Sequence, residues 1–368
     1  MGLMGLFTPI YMKGNLNTRQ VRVAIRKVEK MTDQAKLAAV ALEGKDKSVR
    51  SAAVGRLEDA NLVADLALSD PSVEGAAFER LMELGDEAAL AKALIHSEGL
   101  GMKKHSVEDR SKEVLEHIRD QKLVAQVALT AKSRDARLHA VRKLDDQAAL
   151  AEIARRETDW GVRSDAVMQL TDAALLAKIA LEDPSRGIRF WAVNNKHLKD
   201  AAVLARAALE DKDSRVRLQA MQSPYMTDPA VMAKAALEDP DEENRFRALR
   251  SPLLSDADVF DRAANDATAG YPIRWAAATR LAAVDPDRAV KPLVELLKDP
   301  KSQEVDWYKE TADLCRNAIA FLELRYKATP DRAVKSTIAS IPNGKYGWEQ
   351  EGSCYMHWDE TAHFDIPR

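Results

Sequence analysis

The sequence predicts an all-α protein assembled from stacked two-helix repeats, and three observations predict it. The stretches DAALLAKIALEDPSRGIRFWAV, DAAVLARAALEDKDSRVRLQAM and DPAVMAKAALEDPDEENRFRAL follow one another, so that Asp172, Asp200, Asp228 and Asp256 stand 28 residues apart. A period of that size marks a solenoid, in which no repeat buries its apolar face alone and each is stable only against its neighbours. Of the 368 residues 46% are hydrophobic yet only 5% are aromatic, and alanine dominates the apolar set. That composition suits close-packed helices. No segment sustains the two-residue alternation of a strand.

Residues 1–16 read as an irregular leader. Asn17 or Thr18 then caps a helix carrying Val21, Ala24, Ile25 and Val28 at helical spacing, so that 1–32 is expected to form an N-terminal capping half-repeat. A repeat array is expected over 33–284. Aspartates at 33, 59, 86, 120, 146, 172, 200, 228 and 256 each open a short helix. Their side chains are natural N-caps, accepting backbone N–H groups that the first turn leaves without partners. A turn follows, as at Glu182-Asp183-Pro184-Ser185, and then a second helix framed by a basic residue with alanine three positions on. The frame pairs are Arg50 and Ala53, Arg137 and Ala140, Arg163 and Ala166, Arg189 and Ala192, Arg217 and Ala220, Arg245 and Ala248, and Arg274 and Ala277. An alanine column on one face lets successive second helices approach closely. Two departures stand out. Glu74 occupies a frame position where arginine is expected, and the next repeat carries an insertion over 96–109 with Gly99 and Gly101, read as a longer surface loop. Three further helices are expected within 285–340, at 287–299, 302–327 and from Thr329-Pro330 to about Ser340. Residues 341–368 form an irregular aromatic tail.

The pattern LAxxALEDxxxxVRxxAV resembles the HEAT repeat, and AVKPLVELLKDP at 289–300 is similar to a HEAT first helix with its kink-forming proline, Pro292. The linkers Asn194-Asn195-Lys196-His197, Ser223-Pro224-Tyr225 and Ser251-Pro252-Leu253 resemble those of the variant leucine-rich repeat, a shorter relative. Together the resemblances cover most of 18–340. They imply a right-handed α-solenoid of about ten HEAT-like repeats, and they speak to fold far more than to function. They also imply a ladder linking adjacent repeats, built from Asp183 and Arg189, Asp211 and Arg217, and Asp239 and Arg245, each pair six residues apart. The iron–sulfur cluster that variant leucine-rich repeat proteins can carry does not transfer, because no cysteine precedes Cys315.

Function is narrowed mainly by exclusion. The formal net charge of −3 gives no bulk argument for nucleic acid or an anionic membrane. Cys315 and Cys354 make no disulfide framework, the first residues lack the pattern of a secretory signal, and no run approaches the roughly 20 apolar residues of a membrane helix. A cytoplasmic monomer is expected. No glycine-rich phosphate loop, GxSxG elbow or HExxH motif is present, so no catalysis is expected.

The expected binding face lies on the second helices, two, five and six positions beyond the frame residue, away from the alanine column. Its candidates are Arg142, Lys143, Trp191, Asn194, Asn195, Gln219, Gln222, Arg247 and Arg250, two basic clusters around an amide-rich centre with one tryptophan. Tryptophan, arginine and amides together compose recognition surfaces. The plainer account is a solvated helix face with Trp191 tucked between repeats. The expected function is an intracellular scaffold binding a protein or peptide; the alternative is a DNA-binding or glycosylase-like HEAT protein using these arginines on phosphates. In the tail, Cys354, His357, Asp359 and His363 are competent zinc ligands. A cap formed by Trp348, Tyr355, Trp358 and Phe364 packing on the last helices is the competing account, and it needs no metal.

Overall fold

The computed structural model describes residues 9–97 and 107–298. Among these residues every regular element is helical, twenty α-helices and one 3-10 turn at Ile10–Met12, with no strand. A lone helix α1 (Thr18–Glu29) comes first. First helices of the repeats are α2 (Gln34–Glu43), α4 (Ala60–Ser69), α6 (Glu87–His96), α8 (Gln121–Thr130), α10 (Gln147–Arg156), α12 (Ala173–Glu182), α14 (Ala201–Glu210), α16 (Pro229–Glu238) and α18 (Ala257–Ala264). Each is followed by a second helix: α3 (Lys47–Val54), α5 (Glu74–Leu84), α7 (Val107–Glu116), α9 (Arg134–Lys143), α11 (Trp160–Gln169), α13 (Arg186–Val193), α15 (Ser214–Met221), α17 (Glu242–Leu249) and α19 (Tyr271–Val284). Helix α20 (Pro286–Lys298) keeps Pro292 within it. Most of the insertion, the helices expected over 302–340 and the aromatic tail lie outside the described residues.

The chain divides after Leu198 into two compact units. In the first, α2 packs on α3, α4 on α5, α8 on α9, α10 on α11 and α12 on α13, while the second helices stack in sequence, α7 on α9 and α9 on α11. Helix α1 stacks directly on α3, as one second helix does on the next. The second unit repeats the scheme: α14 packs on α15, α16 on α17 and α18 on α19, with α15 against α17 and α17 against α19.

The capping aspartates account for where the first helices begin. Asp33, Asp59, Asp86, Asp120, Asp146, Asp172, Asp200, Asp228 and Asp256 each sit at an N-cap with extended backbone, and each side chain accepts a first-turn N–H. Such a cap contributes about 1 kcal/mol over alanine. For α1 the cap is Asn17, closed into a capping box by Gln20. The alanine column is equally plain: Ala53, Ala140, Ala166, Ala192, Ala220, Ala248 and Ala277 are all buried.

The arginine ladder exists with a longer step than the six-residue spacing. The carboxylate that hydrogen-bonds Arg217 is Asp239, at 2.8 and 2.7 Å, while Asp211 accepts from Arg217 through its backbone carbonyl at 2.8 Å. Arg50 likewise pairs with Asp70, Arg137 with Glu157, Arg163 with Asp183 and Arg245 with Asp266. Arg137, Arg163, Arg217 and Arg245 thus each bind a carbonyl at the end of their own first helix and an acid at the end of the first helix of the next repeat, whereas Arg50 joins Asp70 and the Ser72 hydroxyl. The first contact satisfies orphaned carbonyls at the negative end of the helix. The acid in turn orders its own turn: Asp183, Asp211 and Asp239 each accept the N–H two residues on. Where the frame residue is Glu74, the acid is replaced as well, and the Ser97 hydroxyl donates to Glu74 at 3.1 Å.

Candidate interaction surface

Second helices present three kinds of position, and their chemistry differs. The frame residue and the alanine face the interior. Six positions beyond the frame, side chains reach back to carbonyls where the preceding second helix ends. Arg80 donates to Leu57 (2.7 Å), Lys143 to Leu115, Gln169 to Val141 (2.9 Å), and Arg280 to Ser251 and Leu254. The most complete case is Asn195, whose amide nitrogen lies 2.8, 3.2 and 3.0 Å from the carbonyl oxygens of Val167, Met168 and Leu170. Helix ends leave carbonyls without partners, and these donors supply them. Asn195 is only 6% exposed and is committed to this contact, and Lys143 is half-buried by it.

Positions two and five beyond the frame are the open ones. In the first unit Arg142 donates through Nε to Asp165 at 2.6 Å, joining position five of α9 to position two of α11. In the same register Met168 takes position five of α11 and Trp191 position two of α13, and the two helices pack on each other. Met168 is 41% exposed, and Trp191 is half-buried with its ring edge-on to Phe190 at 5.4 Å. Asn194 is exposed beside it. Toward α7 lies a cleft of about 370 Å³ lined by Lys112, Leu115, Glu116, His139, Arg142 and Lys143.

In the second unit Gln222 is exposed and Gln219 half-buried. Arg247 donates to Glu243 at 2.6 Å, one turn earlier on α17. Arg250 lies with its guanidinium 5.3 Å from the Phe246 ring centre, and Lys199 is placed similarly over Tyr225 at 5.4 Å. The structure therefore brings Arg142 and Lys143 to one cleft, Trp191 and Asn194 to one patch, and Arg247 and Arg250 to one helix end.

Three surface residues escaped the sequence reading. Met168 stands at position five yet is apolar, and a search for polar recognition residues passes over it. Lys112 follows the insertion, in a repeat whose frame position is Ser111 rather than arginine, so the register there had no marker. Trp160, 57% exposed at the start of α11, lies over the next helix: a Cβ at Gly187 would come 2.5 Å from its indole nitrogen, so only glycine leaves the ring room.

Cys354, His357, Asp359 and His363 lie outside the described residues. Among the described residues no group of three or more His, Cys, Asp or Glu is placed to hold a metal ion, and no helix is long and apolar enough to cross a membrane. No protein-family model matches the chain, and no curated protein matches it either.

Proposed function

We propose that the protein is a non-catalytic scaffold that binds a protein or peptide on the open face of its second helices. The repeats belong, on this reading, to a right-handed HEAT-type solenoid of about ten two-helix repeats, and that face is its concave side. A cytoplasmic monomer fits the two cysteines, too few for a disulfide framework. The observation that carries the reading is the placing of Met168 and Trp191 at open positions of two second helices, α11 and α13, that pack on each other. An exposed thioether and a half-buried indole sit amid amides and paired charges, on a helix face that the alanine column does not use. Adaptable methionine and tryptophan anchors are what interface centres favour.

A phosphate-binding reading draws less support. Arg142 and Arg247, the arginines it needs, are each already paired with a carboxylate. Affinity capture from native lysate tests the proposal. Partners held by the wild type should be lost with Met168→Glu or Trp191→Ala and retained with Lys178→Glu, a change on the exposed face of α12. Equal retention by all variants would remove the face from consideration. Loss of bound material with rising salt, equal for wild type and Trp191→Ala, would favour phosphate contacts instead.

A further inference from the structure

We infer that the exposed face of α1 docks the protein onto an anionic lipid surface, its arginines and lysines meeting headgroup phosphates while apolar side chains beside them enter the headgroup layer. The site stands at the N-terminal end of the first unit and shares no residue with the open face of the second helices. Three observations carry it.

The first is charge that the fold does not use. Arg19, Arg22, Arg26, Lys27 and Lys30 are all exposed on α1 or at its C-cap, and no side chain of the five makes a hydrogen bond or an ion pair among the described residues. Other exposed arginines of the first unit meet acids: Arg134 pairs with Asp159, Arg142 with Asp165 and Arg156 with Glu152. Helical spacing sets the five side by side, neighbours about 5–6 Å apart and within one Debye length, so they repel one another. Arg19 also lies in the first turn, where the positive end of the helix disfavours a cation, and no acid stands there to offset it. Glu29 is the one acid on α1. The end of a repeat array needs a polar face, but mixed signs supply solubility; cations of a single sign suit an anionic partner.

The second is where charge lies along the chain. Residues 1–50 hold ten Lys and Arg against four Asp and Glu, with no acid before Glu29, whereas residues 51–368 hold 45 against 54. One end of an acidic chain is therefore basic, a local asymmetry that the net charge of −3 hides. Lys13 and Lys45, both exposed, widen the patch. A Cβ at Gly14 would come 3.2 Å from that of Lys45, so the turn before α3 lies against the chain that leads into α1.

The third is apolar surface among the cations, which favours lipid over nucleic acid. Val23, 40% exposed, stands four residues from Arg19 and Lys27 and three from Arg26, in the middle of the basic stripe. The half-buried 3-10 turn at Ile10–Met12 packs on α1 and α2, and Leu42, three residues before Lys45, is 56% exposed. Apolar side chains beside cations add to binding in a headgroup layer and gain little against phosphates in water. The side-chain oxygens of Asn17 and Gln20, amides that could read bases, are held by the capping box of α1. Ala24 and Val28 are buried and α1 stacks on α3, so its main apolar face is already used and the docking is peripheral, driven chiefly by charge.

Co-sedimentation of the full-length protein with vesicles tests this, comparing phosphatidylcholine alone with phosphatidylcholine containing one-third phosphatidylglycerol. Binding is expected to the anionic vesicles only, and to weaken as salt rises. Arg19→Gln with Arg26→Gln should weaken it about thirtyfold, two charges at about fivefold each. Lys178→Gln with Lys234→Gln, the same loss of charge at exposed sites on α12 and α16, should leave it unchanged. Neither arginine makes a side-chain contact the fold uses, so the double variant should melt no lower than the wild type. Failure to bind the anionic vesicles would overturn the inference. So would equal weakening by the two pairs of substitutions, which signals bulk charge, and so would displacement of the vesicles by an oligodeoxynucleotide of equal charge, which signals nucleic acid.

Discussion

Asn194 and Asn195 are adjacent and chemically identical, yet the fold gives them opposite surroundings. Asn194 is exposed, whereas Asn195 is buried against three carbonyls of the preceding repeat. Asn195→Ala leaves those carbonyls without a donor in a buried place, and should lower stability by about 1–3 kcal/mol. Gln222→Ala, at an exposed site, should stay within about 0.5 kcal/mol. Urea unfolding midpoints at a constant slope separate the two. The ladder makes a sharper case. Arg217 and Asp239 have side chains only 7% and 3% exposed, so Arg217→Ala strands a buried carboxylate and should cost about 3–5 kcal/mol. The sixth-position column was hard to read for a physical reason. Its members are Arg80, Lys143, Gln169, Asn195 and Arg280, and their common target is backbone carbonyl, which has no sequence signature. Any donor of sufficient reach serves, so the column resembles a recognition surface until its acceptors are seen.

Helix starts were legible because an N-cap needs a short acceptor at one position, and aspartate supplies it nine times from Asp33 to Asp256. The ladder was legible in its members but not in its step, since an arginine six residues from one acid and about twenty from another gives no sign which it meets. Glu74 with Ser97 shows that both ends of a rung change together. Ser97→Asp alone sets a second carboxylate against Glu74, and Glu74→Arg alone meets only a hydroxyl. The double variant Glu74→Arg, Ser97→Asp should therefore be more stable than the two single changes predict, by about 0.5–3 kcal/mol of coupling in a double-mutant cycle. Acid provides a second test. The Thr268 hydroxyl, with the Thr268 N–H and Arg245, outweighs burial and lowers the Asp266 carboxyl to about 2. For Asp239 burial acts to raise the value, but hydrogen bonds from Arg217, the Asp241 N–H and Asn244 prevail and lower it. A lowered folded-state pKa means stability that is fully present above the ordinary carboxylate value near 3.9 and is lost as pH falls toward the folded value. Melting temperature should be flat from about pH 5 to 7 and fall between about pH 4 and 2, with a shallower fall in Asp266→Asn.

Across the molecule, the hydrogen bonds described between repeats reach from 20 residues, Arg50 to Asp70, to 37, Lys132 to Ile95. Bonds of that reach join a repeat to its neighbour, so stability is expected to be a sum of repeat and nearest-neighbour terms. Removing residues 228–255, which contain α16 and α17, tests this within the second unit. The deletion joins Thr227 to Asp256, and Asp256 already caps a first helix as Asp228 does. It also brings Asp266 to 21 residues beyond Arg217, the spacing at which Arg245 now holds Asp266 at 2.9 Å. Every ladder contact of the lost repeat is therefore offered again by the repeat that follows. The shortened chain should keep its helicity per residue by circular dichroism and unfold cooperatively, at a somewhat lower midpoint because one set of interfaces is gone. Removing only 228–241 should behave differently. It deletes α16 and leaves α17 without the helix it packs on, exposing Ala248 and Leu249, and Arg217 loses Asp239 with no acid in register to replace it. That variant should lose helicity well beyond the deleted residues. Equal damage from both deletions would show that the second unit is stabilised as a closed whole rather than repeat by repeat.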